Sequence, residues 1–266
     1  MSSTAEAKKH AAAAAEELLE RMSADAFDAV VILGPGFAEA VTVLGSPDAE
    51  VDPASLVGFG PAQEGSTESV HSVWVGAKHV LVFVGRTNFY DGYGPLRVAH
   101  AVRTGISTGA RTVVLTDTVG TLRTDFQVGQ PILVRDHINL MAASPLVGPD
   151  FVDLTRAYSQ RLRDTAHEAD LSLAEGVYGA VRGPQPGTPA ELGLLRTAGA
   201  DLVGSATVLE TIAAVEMGAE VLSVSVVGED ALYSGSGPRD TGQLLAVAQY
   251  YAQPMGQLLN RFLLRL

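Results

Sequence analysis

The sequence predicts a single-domain α/β fold, a mixed central β-sheet flanked by helices on both faces. Short continuous apolar runs such as Ala29-Val30-Val31-Ile32-Leu33 and Val221 to Val227 have the length and make-up of strands buried on both sides. Segments with the helical period alternate with these runs along the chain. No internal repeat and no Pro- or Ser-rich linker interrupts residues 1–266, so one domain is expected, with 1–22 as a leading helix.

Taken in order, Thr4 to Met22 is rich in strong helix formers, and Leu18, Leu19 and Met22 give it an apolar edge for docking. The strand Ala29 to Leu33 ends at Gly34-Pro35-Gly36, and a helix is expected from Phe37. Gly45 to Ser69 is polar and reads as a long surface excursion. Val70 to Val75 and Lys78 to Val84 form a hairpin turning at Gly76-Ala77. Leu96 to Ser107 reads as helix, Thr112 to Leu115 as strand, Thr116 to Gly129 as a Gly- and Thr-rich loop, and Pro131 to Val134 as strand. Then come a helix over Val152 to Ala169, a strand over Gly176 to Val181, helices over Pro189 to Thr197 and Thr207 to Met217, the strand Val221 to Val227, and a last helix from Gly242 to Leu264.

Composition narrows the function. The 266 residues carry 30 acidic against 18 basic side chains, a formal charge of -12, which argues against general affinity for nucleic acid or anionic membranes. Without cysteine the chain has no disulfides, thiolate metal sites or cysteine nucleophiles. It shows no apolar leader and no run of eighteen apolar residues, so a cytoplasmic location is expected. The histidines His10, His71, His79, His100 and His167 form no metal-ligand pattern, and no metal is expected.

In α/β folds ligands collect beyond the carboxyl ends of the strands, here the loops after Leu33, Val84, Leu115 and Val227. Gly34-Pro35-Gly36 could cradle a phosphate or serve as an ordinary strand-to-helix turn. Arg86, Asn88 and Tyr90 alternate, so an extended backbone would point a guanidinium, an amide and a phenol the same way, as an anion and sugar site needs. Arg135-Asp136-His137 reads as a buried ion pair and a histidine organising a strand end. Glu229-Asp230, just past an apolar strand, could donate a proton to a leaving group or be a solvated pair.

In order and spacing these segments resemble the trimeric purine nucleoside phosphorylase family, from about Val30 to Leu264. The resemblance is carried by Ile32-Leu33-Gly34-Pro35-Gly36, Gly85-Arg86 to Tyr93, Val114 to Leu122, Phe126-Gln127-Val128-Gly129, Arg135 to Leu140, Gly183-Pro184 and Gly199 to Gly204. It implies phosphate-dependent cleavage of a purine (deoxy)ribonucleoside to free base and pentose 1-phosphate, by a homotrimer with no cofactor beyond phosphate as co-substrate. By resemblance, phosphate is held by Arg86, Gly34, Pro35, Gly36, Ser66, Asn88, Ala206 and the backbone amide of Thr118; Tyr90, Ser205 and Thr241 hold the sugar; and Pro186, Gly187, Val203, Glu229 and Asp230 meet the base. Several positions depart from the family pattern. Pro35 and Ala206 stand where it has hydroxyl residues, Asn88 and the region of Ser66 where it has histidines, Ser205 for a methionine, Gly187 for the glutamate that reads the purine edge, and Pro186 for its aromatic neighbour. Glu229 replaces an asparagine, which makes it, with Arg86, the candidate catalytic pair. An altered site leaves two alternatives: a noncatalytic binder of a nucleoside-like ligand, and a nucleosidase in which water replaces phosphate.

Overall fold

β1 (Ala29–Leu33) is buried at every residue because it lies parallel between β4 (Lys78–Val84) and β5 (Thr112–Thr121) in the computed structural model, which describes residues 3–60, 68–232 and 241–266. β3 (Ser69–Val75) extends this side of the sheet antiparallel to β4, and β2 (Pro47–Val51) pairs antiparallel with β3 at the edge. On the other side stand β8 (Leu202–Gly204), β7 (Ala174–Ala180), β6 (Pro131–Asn139) and β9 (Glu220–Asp230). Because β9 also pairs with β5, the strands β5, β8, β7, β6 and β9 close on one another.

Alternate residues of a strand face opposite sides, and β1 uses both. Val30 and Ile32 enter one apolar layer with Leu18 and Val102; Val31 and Leu33 enter a second with Phe37, Leu259 and Phe262. The first layer is covered by α1 (Thr4–Arg21), α4 (His100–Ser107) and α7 (Val208–Glu216), the second by α2 (Ala40–Leu44), α5 (Gln160–Ala169) and α9 (Ala252–Leu263). α3 (Pro95–Val98), α6 (Pro189–Thr197) and α8 (Thr241–Tyr250) complete the helices among the described residues.

Several boundaries differ from the sequence reading. The helix after the first glycine loop starts at Ala40, because Phe37 to Glu39 form turns. Part of the expected excursion over 45–69 is β2, an exposed edge strand too polar to read as one, and residues 61–67 lie outside the described residues. The helix expected from Val152 starts only at Gln160, capped by Ser159, whose hydroxyl accepts the Leu162 N–H at 3.3 Å. The last helix is two, broken at Tyr251.

The difference that matters most is β5, which continues through Thr116 to Thr121 where a loop was expected. On one edge it pairs with β1 only over 112–115 and with β8 only at Gly120 and Thr121. Between those partners the strand edge at 116–119 is left open, and a cleft forms at this switch point.

Candidate functional site

The cleft has a deep end and a shallow end. The deep end opens from the loop after β1 (Gly34, Pro35, Gly36) and the segment after β4 (Arg86, Asn88, Tyr90), against Leu245 of α8, around a volume of 840 Å³. Arg86 is buried, and its three guanidinium nitrogens make no hydrogen bond to any described residue. Nε lies 3.6 Å from Glu210 Oε1, an ion pair longer than a hydrogen bond. Glu210 is held in turn at the start of α7, where Oε2 accepts the Thr207 N–H at 3.1 Å. Thr207 itself has φ 60, a strained value for a β-branched residue.

Beneath the glycine loop, β5 supplies a second buried carboxyl, Asp117. Its Oδ1 accepts the Thr118 N–H at 2.8 Å and its Oδ2 accepts the Tyr178 O–H at 2.6 Å, while the Tyr178 oxygen accepts the Ala206 N–H at 3.1 Å. Gly204 makes this arrangement possible: a Cβ there would lie 2.1 Å from the Tyr178 oxygen. Burial pushes the Asp117 and Glu210 carboxyls above the usual carboxylate range, and the Arg86 charge opposes that rise at both. Burial, and next the Asp117 carboxylate, push the Tyr178 phenol up.

The shallow end is a cavity of 110 Å³ lined by Pro186, Gly187, Val203, Glu229, Thr118 and Leu244, among others. Tyr90 and Ser205 meet between the two ends: a Cβ on Gly183 would lie 3.1 Å from Tyr90 and 3.2 Å from Ser205. An anion and a flat apolar ring could therefore sit side by side, with a polyhydroxylated group between them.

The residues expected from the sequence are largely brought together, with corrections. Arg86, Asn88 and Tyr90 share the cleft, although not by strand alternation, because Phe89 to Asp91 form a 3₁₀ turn. The Thr118 amide is engaged by Asp117; the group it leaves for a ligand is its hydroxyl, which is buried and makes no hydrogen bond to a described residue. Ala206 likewise has its amide on Tyr178. Asp230 is exposed and accepts the Leu232 N–H at 2.9 Å, facing away from the cavity because it follows Glu229 on an extended strand. Arg135 and Asp136 are exposed and form no ion pair among the described residues; His137 makes a 3.0 Å contact with the Tyr158 hydroxyl. Ser66 and the side chain of Thr241 lie outside the described residues. The sequence reading missed Asp117, Tyr178 and Glu210; the available signal was a lone acid in the apolar stretch Val113 to Val119.

Comparison with known proteins shows the family. A sequence model described as Phosphorylase superfamily matches residues 28–264. The purine nucleoside phosphorylase of Mycobacterium tuberculosis is 47% identical over 247 residues, 92% of each chain, and that of a Cellulomonas species is 44% identical over 223 residues, 82% of this chain and 79% of its own. The crystal structure of isoform 2 of the Schistosoma mansoni purine nucleoside phosphorylase, in complex with cytosine and ribose-1-phosphate, superposes with a TM-score of 0.89 at 25% identity, covering 97% of this chain and 96% of its own. The chain therefore belongs to the purine nucleoside phosphorylases of the Phosphorylase superfamily.

Proposed function

We propose that this chain cleaves a purine (deoxy)ribonucleoside with phosphate, giving free base and pentose 1-phosphate. The observation that carries the reading is the buried Arg86 guanidinium, which has no hydrogen-bond partner among the described residues and lines a cavity whose Tyr90 packs close to Gly183 in the wall of the second cavity. A buried cation without hydrogen bonds is costly unless an anion completes it. Phosphate seated there places an oxygen against the anomeric carbon; the new C–O bond forms as the glycosidic C–N bond breaks, and the bonding pair moves onto the purine.

The chain's own groups then have distinct tasks. Arg86, Asn88 and the Thr118 hydroxyl hold phosphate, with the Gly34-Pro35-Gly36 loop as the wall of its pocket. Tyr90 and Ser205 hold the sugar. Glu229, in its acid form, gives a proton to the departing base, and Pro186, Gly187 and Val203 enclose the ring. Phosphate is the co-substrate, and no organic cofactor enters. Leu140, Val147 and Phe151 are exposed along one segment, and this apolar surface supports assembly into a homotrimer, which sedimentation equilibrium tests. A cytoplasmic address accords with the absence of cysteine.

A second reading has one specific observation behind it: the Glu39 and Glu68 carboxyls line the Arg86 cavity and disfavour a further negative charge there, as a nucleosidase using water would require. Base release from inosine, guanosine, adenosine and methylthioadenosine, each with and without phosphate, separates the two. Phosphate-dependent release supports phosphorolysis, and equal release without phosphate makes the chain a nucleosidase. Release from none of the four overturns both readings in favour of a binding protein.

A further inference from the structure

The cleft lies past the carboxyl ends of β1, β4 and β5, and a separate cavity of 670 Å³ lies at their opposite ends. It is lined by Trp74 near the end of β3, Lys78 and His79 at the start of β4, Asp25 and Asp28 before β1, and Arg111 before β5, among others. No lining residue is shared with the cavities of the cleft. The five residues of β1 separate the two places by about 16 Å at the usual strand rise. Hydrogen bonds across the three strand starts hold the wall together. The Asp28 N–H donates to the His79 carbonyl oxygen at 2.8 Å, the His79 N–H donates to Asp28 Oδ2 at 2.8 Å, and the Arg111 N–H donates to the Asp28 carbonyl oxygen at 3.3 Å.

Trp74 is the single tryptophan of the chain and is 51% exposed. Its ring is stacked on the buried His79 imidazole, with centroids 4.3 Å apart and planes 3° from parallel. That imidazole is fixed by the Phe27 ring, 4.2 Å away between centroids, and by Ser72, whose hydroxyl lies 2.7 Å from Nε2. A half-exposed indole with one face held on a fixed ring offers its other face as a platform for a further flat ring.

The charges around this platform are not spent on one another. The side chains of Lys78, Arg111 and Asp25 make no hydrogen bond or ion pair to a described residue, and Asp28 uses one carboxylate oxygen on the His79 N–H. A ligand that completes this set needs a flat ring for the indole, an anionic group for the two cations, and neutral N–H or O–H donors for the two carboxylates. An aromatic acid leaves the carboxylates without donors, and a neutral or cationic ring leaves Lys78 and Arg111 without an anion. A nucleoside monophosphate carries all three parts. The volume is also within the range of small-molecule sites, about 300–1,000 Å³.

We propose that this cavity binds a nucleoside monophosphate, its base stacked on Trp74, its phosphate on Lys78 and Arg111, and its hydroxyl or amino donors on Asp25 and Asp28. The site is separate from the cleft in position and lining, so it stands independently of the phosphorolysis reading.

Because Trp74 is the only tryptophan, its fluorescence reports on this cavity directly. Titration of the full chain with guanosine 5′-monophosphate should quench that emission saturably. Guanosine lacks the anion, and should need at least about tenfold higher concentration for the same quenching. Ribose 5-phosphate lacks the ring and benzoate lacks the donors, so each should displace the nucleotide only at concentrations at least about tenfold higher than its own. A double variant, Lys78→Gln with Arg111→Gln, keeps the indole in place and should weaken nucleotide binding at least about tenfold. Absence of saturable quenching, undiminished affinity in the double variant, or equal potency of guanosine, ribose 5-phosphate or benzoate overturns the proposal. Should the double variant fail to fold, the wild-type titration and the three comparison ligands decide alone.

Discussion

At the deep end of the cleft the buried Arg86 guanidinium, from the segment after β4, is paired with the buried Glu210 carboxyl of α7. At the shallow end one half-buried carboxyl, Glu229, stands among Pro186, Gly187, Val203 and Leu244. The deep end is specified by charge in a place where charge is expensive, so each group there depends on the others. The shallow end is specified by small side chains and shape, so its parts can change one at a time. Substitutions at the deep end should therefore be large and coupled, and those at the shallow end smaller and separable.

The largest effect is expected for Arg86→Ala. It removes the cation paired with the buried Glu210, and with it the anion clamp. Phosphate-dependent turnover should fall by about 10³-fold or more, in line with breaking a buried charge pair at about 3–5 kcal/mol. Steady-state kcat/KM for phosphate measures this. A loss of less than tenfold would break the comparison, because the deep end would then not depend on its cation.

Glu229→Gln is the matching test at the shallow end. Loss of a proton donor at the base should lower turnover by about 10²-fold, the low end of general-acid contributions, with phosphate binding unchanged. Rate and phosphate affinity are measured separately, on the same preparation. A parallel loss of phosphate affinity would show that the two ends are coupled and that the contrast is false.

The pH response of stability extends the contrast to the wall outside the anion pocket. His100, at the start of α4, is buried with Nε2 3.0 Å from the Val57 carbonyl oxygen. Burial pushes its pKa down from 6.5 to about 4, against the smaller raising effect of that carbonyl. The unfolded chain therefore takes up a proton first as pH falls, and stability is lost from about pH 6.5 down through about 4. The loss is on the order of 3 kcal/mol at most, taken from the size of the shift. Melting temperature against pH should fall less steeply for His100→Gln over that window, and an unchanged slope would remove His100 as the cause.

What the sequence made legible follows the same division between local and nonlocal causes. α6 was readable to the residue because its start is written locally: Pro189 opens it, and Thr188 and Glu191 cap each other at 3.3 and 2.7 Å. β1 was readable because burial on both faces demands an unbroken apolar run. The extension of β5 was not, since Thr116-Asp117-Thr118 has the composition of a loop, and it is strand only because β9 pairs along it. Arg86, Asn88 and Tyr90 stood out in their spacing, whereas Asp117, Tyr178 and Glu210 are site residues through partners 61 and more positions away or through burial, which no local pattern records.

The smallest effect should come from Gly187→Ala, and it tests the claim that shape alone governs the shallow end. A Cβ at this position would lie 3.0 Å from Leu192 Cδ2 and 3.3 Å from Leu192 Cγ, tighter than ordinary contact but against the end of a flexible side chain. Leu192 is buried and cannot swing into solvent, so the methyl must be absorbed by a shift of a few tenths of an ångström or displace the wall of the base cavity. The expected destabilisation is about 1 kcal/mol or less, the low end for overpacking. KM for the nucleoside should rise a few-fold while phosphate affinity stays as in the wild type. A change in anion binding from this methyl would mean that the small residues of the base cavity also hold the charged end in place, and that the two ends form one packed unit.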